Sequence, residues 1–330
     1  MSTNKLFFQK FKSSTYTDEP IPGKGSSEII HLTINASGTR LINTRTDRLI
    51  RIWKCLHDKL SDAITISQPH LKAVERIAWN PKTEHTFASV GRDDLVKIWN
   101  GNGILEKEIK VVKTQGKEEA VISQIVKYSS DGDFLSVVDR DSTVSIYDVK
   151  NNYTKVEEVV IGEHIYDMEW FNYDHEFLIF ALHDGTIPIY RMDENIKLEP
   201  SHLLKGHRSL ATCLSMDPRG RYFAVGSNEG VVSIWSTASM MNTKILSEVD
   251  EAIAQIDISR DGTYLAVGFD SGSNIKIYEY DTTEEMFEVP NSTSGTLALT
   301  QVKWFPTKTA FVYSSDNGRT LTLMRRPDLK

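Results

Sequence analysis

The sequence predicts an all-β fold of seven repeated antiparallel units, and three observations carry that prediction. Six segments of alternating apolar residues ending in Trp or Tyr recur in order: RLIRIW to Trp53, DLVKIW to Trp99, STVSIY to Tyr147, GTIPIY to Tyr190, GVVSIW to Trp235 and SNIKIY to Tyr278. A seventh, RTLTLM, ends at Met324, so the mean step is about 45 residues, the length of one four-stranded propeller blade. Period-two alternation rich in Val, Ile, Tyr and Trp, bounded by turn residues, reads as strand throughout, and no helix-period segment of comparable strength accompanies it.

Within each repeat the elements follow in a fixed order. An apolar strand comes first: IIHLTIN, VERIAWN, ISQIVKY, IYDMEWF, ATCLSM, IAQIDIS and LTQVKWF. It runs into a turn signal such as Ser37-Gly38, Asp131-Gly132, Pro218-Arg219-Gly220 or Asp261-Gly262. A second strand follows (RLINTR, TFASVG, FLSVVD, FLIFAL, YFAVGS, YLAVGF, AFVYSS), then a tight acidic turn carrying Asp47, Asp93, Asp141, Asp184, Glu229, Asp270 or Asp316, then the third strand with its aromatic end. The fourth strand is weaker but visible as AITISQ, EKEIKVV and KVEEVVI in the first three repeats. The seventh repeat shows none before Lys330, and the short run Leu6-Phe7-Phe8-Gln9-Lys10-Phe11 is strand-like. Residues 5–11 are therefore expected to pair into the last blade and close the ring, which removes an open sheet edge. The expected architecture is one propeller domain over residues 1–330, with blades at approximately 28–68, 69–118, 119–162, 163–205, 206–250, 251–294 and 295–327.

Composition narrows the class of partner. The chain has 330 residues, of which 40% are hydrophobic, and its 38 Lys plus Arg against 45 Asp plus Glu give a net charge of −7. That balance fits a soluble globular protein and lacks the basic excess of a self-sufficient nucleic-acid binder. The longest apolar run, Phe177 to Leu182, has six residues, against roughly 18 for a bilayer-spanning helix. No apolar core with a small-residue cleavage site follows the first residues, so an intracellular protein outside any membrane is expected. The two cysteines, Cys55 and Cys213, fall far short of a disulfide framework and lie in well-separated repeats, so both are expected as free, small apolar residues. The sequons at Asn35, Asn152 and Asn291 then have no glycosylation role.

These repeats resemble the WD-repeat propeller family along almost the whole chain, which implies a seven-bladed WD-repeat β-propeller closed by an N-terminal strand. The second repeat carries the resemblance best: Pro69-His70 stands where the family has Gly-His, and Ser89, Asp93 and Trp99 fall at its Ser, Asp and Trp positions. The resemblance implies a structural hydrogen-bond tetrad of His70, Ser89, Asp93 and Trp99. Such a set is physically sound, because imidazole, hydroxyl, carboxylate and indole N–H can satisfy one another when buried. Gly206-His207 is a literal Gly-His pair, with Glu229 in place of Asp, while repeats one, three, four and six lack the His and are expected to have incomplete networks.

Residues 164–282 are most similar to the WD-repeat subunits of the nuclear THO complex, through IYDMEWFNYDHEFLIFALHDGTIPIY and GHRSLATCLSMDPRGRYFAVGSNEGVVSIWS. That similarity implies a nuclear scaffold coupling transcription to messenger RNA packaging and export. Its partners would be large helical protein subunits and, indirectly, a DEAD-box RNA helicase. A scaffold subunit of a chromatin-modifying complex is the alternative on the same fold, and a propeller hydrolase is the alternative from another class.

Enzyme signatures are missing. Neither Gly-x4-Gly-Lys-Ser/Thr nor Gly-x-Ser-x-Gly occurs, and Gly226-Ser227-Asn228-Glu229-Gly230 has the wrong spacing and reads as a turn. His164, His175 and His183 are close in sequence, but His175 falls in a turn on the opposite face from the one holding His183, with no zinc-type Cys or His pair alongside. The repeated turn carboxylates have a sufficient role as acceptors for backbone N–H groups. No catalytic residue, metal or cofactor is expected, and binding is the default function.

The turns after the second strands and the loops before the first strands emerge together on one face. There Arg45, Arg92, Arg140 and His183 from four turns, with Lys72 and Arg208 from the loops, are expected as a positive arc for an acidic partner helix. RNA contact would use the same arc with Tyr166 as a stacking platform, and the net charge weighs against it. The alternating Lys and Glu of residues 106–119 read as a solvated strand and loop.

Overall fold

The computed structural model describes residues 5–17, 27–114 and 121–327. Seven four-stranded antiparallel sheets follow one another along these segments. Blade 1 comprises Ile29–Ile34, Arg40–Arg45, Ile50–Cys55 and Leu60–Ile66, ordered from the inside outwards. The inner strands of blades 2 to 7 are Arg76–Trp79, Ser123–Tyr128, Ile165–Asn172, Ala211–Met216, Ile253–Ile258 and Val302–Trp304. Each inner strand packs on the next, and the inner strand of blade 7 packs on that of blade 1, so the sheets form a closed ring. The protein is a seven-bladed β-propeller. Among the described residues no helix is long and apolar enough to cross a membrane.

The core is divided into seven apolar clusters, one at each seam between neighbouring blades. Ile42, Ile50 and Ile52 of blade 1 meet Ile77, Phe87 and Trp99 of blade 2, for example. Both faces of a middle strand are therefore covered. In blade 1 the second strand is buried at every position after its first, and alternation is lost there. A β-bulge recurs at the aromatic of the third strand in blades 1 to 6, between Ile98 and Trp99 in blade 2 and between Ile234 and Trp235 in blade 5. The extra residue lies at the same place in each repeat, as expected of a designed kink rather than a defect.

Ring closure differs in place from the sequence expectation. Residues 5–11 do not form the closing strand: Lys5–Phe8 is a single helical turn, and the strand that completes blade 7 is Lys12–Tyr16. It pairs antiparallel with Thr320–Arg325, from Lys12 opposite Arg325 to Tyr16 opposite Leu321. The reason is geometric. A strand would send Phe7 and Phe8 to opposite faces, whereas the helical turn brings Phe7, Phe8 and Phe11 together, with ring centroids 5.1–5.4 Å apart. Phe8 is 1% exposed and packs between Tyr264 and Phe287 of blade 6 and Trp304 of blade 7. Downstream, the Tyr16 hydroxyl accepts the Leu60 N–H at 2.9 Å, and its ring lies 5.9 Å from Trp53, clasping blade 7 to blade 1.

Candidate interaction surfaces

Blade 2 links its four side chains in series. The indole N–H of Trp99 donates to Ser89 Oγ at 2.9 Å, Ser89 Oγ lies 2.8 Å from His70 Nε2, and His70 Nδ1 lies 3.0 Å from Asp93 Oδ2. Every donor has an acceptor when the imidazole proton sits on Nδ1. Asp93 also accepts the N–H groups of Leu95 at 3.2 Å and Leu71 at 3.4 Å, so one carboxylate fixes both the turn and the incoming loop.

Blades 5, 1 and 3 use different residues, and the Tyr147 hydroxyl at the blade 3 aromatic position is buried without a hydrogen-bond partner among the described residues. In blade 5, Trp235 and His207 converge on Ser233 at 2.8 Å each. Ser233 lies on the third strand, whereas Ser89 lies on the second; the register pairs Ser233 with Val225, and Ser89 with Lys97. The hydroxyl has moved to the cross-strand neighbour and still reaches the indole. Glu229 turns instead to the N–H groups of Arg208 and Ser209, at 3.0 and 2.8 Å. Blade 1 lacks the His: Asn43 Oδ1 accepts the Trp53 N–H at 2.7 Å while Asn43 Nδ2 is buried without a partner among the described residues, and Arg51 forms a buried two-point pair with Asp47 at 2.6 and 3.2 Å. In blade 3 the turn acceptor is Asp139, which takes the N–H groups of Asp141 and Thr143 at 2.9 Å each, rather than Asp141, which pairs with Lys113.

The inner strands line a central channel with a cavity of about 360 Å³. Its polar side chains stitch neighbouring blades together at five of the seven seams. His31 Nε2–H donates to Ile77 O at 3.1 Å, Asp167 accepts Leu214 N–H at 2.9 Å, and Thr212 donates to Ile253 O at 2.6 Å. Gln255 and Asp257 accept the N–H groups of Val302 and Trp304 at 2.8 and 2.7 Å. Two ion pairs join the stitching, Lys127 with Glu169 and Lys303 with Asp257, the latter at 2.6 Å. Burial pushes the Glu169 carboxyl above its ordinary range against the pull of Lys127. For Lys303 burial works downwards, and the Asp257 carboxylate outweighs it and holds the ammonium above its usual value. These groups serve the ring, since their partners are the adjacent blade.

His31 carries a pH consequence. Burial first, and then the charges of Arg76, Lys127 and Lys303, hold its imidazole well below the ordinary 6.5. A lowered histidine leaves the folded chain with fewer bound protons than the unfolded chain, so stability is intact above 6.5 and is lost as pH falls below it. Glu169, shifted upwards, acts in the opposite sense at lower pH. The effect is therefore isolated by comparing the wild type with His31→Gln, which keeps a donor for Ile77 O. Between pH 7.5 and 5 the wild type should lose stability relative to the variant, by at most about 2 kcal/mol. Parallel thermal melts check this, and superimposable pH profiles would refute it.

On the face formed by the loops entering each blade and the turns after the second strands, the expected arc is only partly assembled. Arg45 does not belong to it. It is 2% exposed, and its guanidinium donates to Ser27 O at 2.8 Å and Arg319 O at 2.7 Å, locking the seam of blades 7 and 1. The exposed arginine of that turn is Arg48, which donates to Leu71 O at 3.3 Å. Arg92 is exposed and paired with Glu75 at 2.7 Å. Lys72, Arg140 and Arg208 are exposed on this face. His183 is exposed as well, but its ring stacks on Tyr166 at 5.9 Å, and its Nδ1 lies 3.2 Å from the Tyr166 hydroxyl. Both signs occur on each side of the face: Arg48, Lys72, Arg92, Arg140 and Arg319 stand over blades 7 to 3 together with Asp141 and Asp316, and Glu163, Asp184, Glu229 and Asp250 stand over blades 4 to 6 together with Arg208.

Carboxylate clamps are the feature that sequence reasoning missed. Glu28, 8% exposed, accepts the N–H groups of Thr296, Leu297 and Ala298 at 3.1, 2.6 and 2.9 Å. A Cβ on Gly295 would collide with that carboxylate, so the close approach requires glycine. Glu251 holds Gly272 and Ser273 in the same way, at 3.1 and 3.0 Å. The available signal was a Glu just ahead of the inner strand in blades 1, 2 and 6 (Glu28, Glu75, Glu251).

Among the described residues no group of three His, Cys, Asp or Glu side chains is placed to hold a metal ion. His164 and His183 flank Tyr166 on one face, while His175 lies in the turn on the other side of the blade. Cys55 and Cys213 are free thiols that burial pushes up to about 12. Residues 115–120, the end of the charged segment after blade 2, lie outside the described residues.

A ring of seven blades, with His–Ser–Trp relays in blades 2 and 5 and no inserted domain among the described residues, resembles a WD-repeat propeller. The family model for the WD domain, G-beta repeat, matches residues 63–100 and 198–236. Each match runs from the fourth strand of one blade through the third strand of the next, and the chain carries WD40 repeats. It is similar to THO complex subunit 3 of Arabidopsis thaliana, 24% identical over 86% of this chain and 85% of that protein. It is also similar to Protein TEX1 of Saccharomyces cerevisiae, 21% identical over 92% of this chain and 72% of that protein. A chromatin assembly factor 1 protein of Mus musculus is 26% identical over 60% of this chain and 30% of its own length.

Proposed function

We propose that this propeller is a non-catalytic scaffold subunit of a nuclear multiprotein assembly of THO type, which couples transcription to the packaging and export of messenger RNA. The observation that carries the reading is the end-to-end likeness to THO complex subunit 3, covering 86% of this chain and 85% of the relative. It spans most of both chains, whereas the chromatin assembly factor match leaves most of that relative uncovered. The chemistry of the ring agrees: histidines and carboxylates are engaged in relays, clamps and stitches that hold the blades together, and the faces are left for partners. Large helical subunits are the direct partners in this reading, and a DEAD-box RNA helicase is reached through them. RNA is possible but not expected as a direct ligand in this reading, since Tyr166 already stacks on His183 and the chain carries a net charge of −7.

The test is affinity purification of the tagged protein from nuclear extract, with nuclease treatment, followed by mass spectrometry. Stoichiometric recovery of large helical subunits together with an RNA helicase is the expected result. Recovery of histone-modifying enzymes instead would move the scaffold to a chromatin complex, the reading favoured by the chromatin assembly factor similarity.

A further inference from the structure

We propose that the sector of the loop face over blades 7, 1 and 2 is the docking site for an acidic amphipathic helix of a partner protein, with leucine anchors at Leu71, Leu297 and Leu299. The proposal rests on the scaffold reading for its context and deepens it by naming the surface and the chemistry of the partner.

Three leucines stand out of this sector: Leu71 is 81% exposed, Leu297 77% and Leu299 50%. All three sit on loops entering a blade, and both loops are pinned by carboxylates. Glu28 holds the backbone at 296–298, while Ala298 between the leucines is buried. Asp93 takes Leu71 N–H, and Arg48 takes Leu71 O. Loops free to relax would fold such side chains back onto the ring. These are held outwards by buried acceptors, so the cost of ordering them is met before any partner arrives. The two loops are joined through the turn of blade 1: Thr46 N–H donates to Glu28 O at 2.9 Å, and Arg48 of the same turn reaches Leu71. Beside Leu71 a groove of about 940 Å³ runs between blades 1 and 2, with Leu49 and Leu95 in its walls.

Charge selects the occupant. Arg48, Lys72 and Arg319 are exposed around the leucines. The nearby carboxylates are engaged, Asp47 with Arg51 at 2.6 Å and Asp94 with Lys110 at 3.7 Å. Asp316 lies on the far side, in the polar groove towards blade 6 with Asn274 and Asn291. An apolar centre ringed by cations fits a segment with leucine-type residues on one side and Glu or Asp flanking them. Among the described residues this face offers loops and turns and no unpaired strand edge, so an extended peptide finds no ladder to join. A helix, which satisfies its own backbone, is the form that can lie here. Aliphatic anchors rather than aromatic platforms separate this surface from one that stacks bases.

The experiment uses the full chain and a fluorescein-labelled helical peptide with Leu at positions i, i+4 and i+7 and Glu elsewhere, read by anisotropy. Binding at about 100 μM or tighter is expected, weakened at least tenfold in Leu71→Ser/Leu297→Ser/Leu299→Ser and in Lys72→Glu/Arg319→Glu. Leu203→Ser, on the outer strand of blade 4, should leave binding unchanged. The exposed positions make these variants fold normally, which a thermal melt verifies. Equal binding of a peptide with Lys in place of Glu, tighter binding of a uridine oligonucleotide, or unchanged binding by the triple variant would each overturn the proposal. In nuclear extract, recovery of the complex by wild type but not by the triple variant supports it. Equal recovery by both refutes the surface and leaves the scaffold reading intact, whereas no recovery by wild type refutes the scaffold reading while the peptide result still decides the surface.

Discussion

Deletion of residues 1–17 is expected to lower the melting temperature by about 10 °C or more and to turn a single sharp transition into a broad one. The deletion removes two distinct supports. Phe8 fills the seam between blades 6 and 7 at 1% exposure, and loss of a fully buried phenylalanine costs about 3–5 kcal/mol. Lys12–Tyr16 supplies the outer strand of blade 7 and, through the Tyr16 hydroxyl, a bond to Leu60 of blade 1. Without it, Thr320–Arg325 becomes an open edge able to pair with a second molecule. Deleting residues 1–11 alone keeps the strand and loses the aromatic wedge, so its effect should match Phe8→Ala and fall short of the longer deletion. Calorimetry with size-exclusion chromatography separates the cases: aggregation or dimers should appear only when the strand is gone. An unchanged melt after removal of residues 1–17 would show that the ring closes without its N-terminal strand.

The repeat was legible because its strongest signals come from middle strands buried on both sides. Period, blade number and the aromatic ends could all be taken from the sequence. The outer strands were faint because they face water, as in Leu105–Lys110, where only Ile109 is buried. The closing strand, KSSTY, has no apolar alternation at all, and the more hydrophobic Phe7-Phe8 run beside it drew the assignment. Arg45 and Arg48 lie three residues apart in one turn, one locked under Arg319 O and the other exposed. Nothing local distinguishes them, because the carbonyl that captures Arg45 comes from the last blade. The channel stitches and the Glu28 clamp were hidden for the same reason: their partners are one blade or nearly the whole chain away.

The blade 2 relay gives the second large effect. Asp93→Ala is expected to destabilise the protein by about 3–4 kcal/mol, because it strips a buried acceptor from His70, Leu71 and Leu95 at once and leaves the imidazole N–H without a partner. Burial of the Asp93 carboxyl disfavours ionisation, but the hydrogen bond from His70 and those from the N–H groups of Leu95 and Leu71 outweigh it and hold the group below its ordinary 3.8. A depressed carboxyl contributes stability that is fully present above 3.8 and is lost as pH falls below it, so the wild-type advantage over Asp93→Ala should persist at neutral pH and shrink in acid. His70→Ala and Asp93→Ala should be strongly non-additive, with the double variant at least about 1 kcal/mol more stable than the sum of the singles predicts, since each removes the other's partner. Blade 5 is the internal comparison. Glu229 is exposed and binds two backbone N–H groups rather than His207, so Glu229→Ala should cost only about 1 kcal/mol and add independently to His207→Ala. Chemical denaturation of the six variants measures all of this. Equal costs at Asp93 and Glu229 would mean that the serial relay contributes no more than an ordinary turn cap.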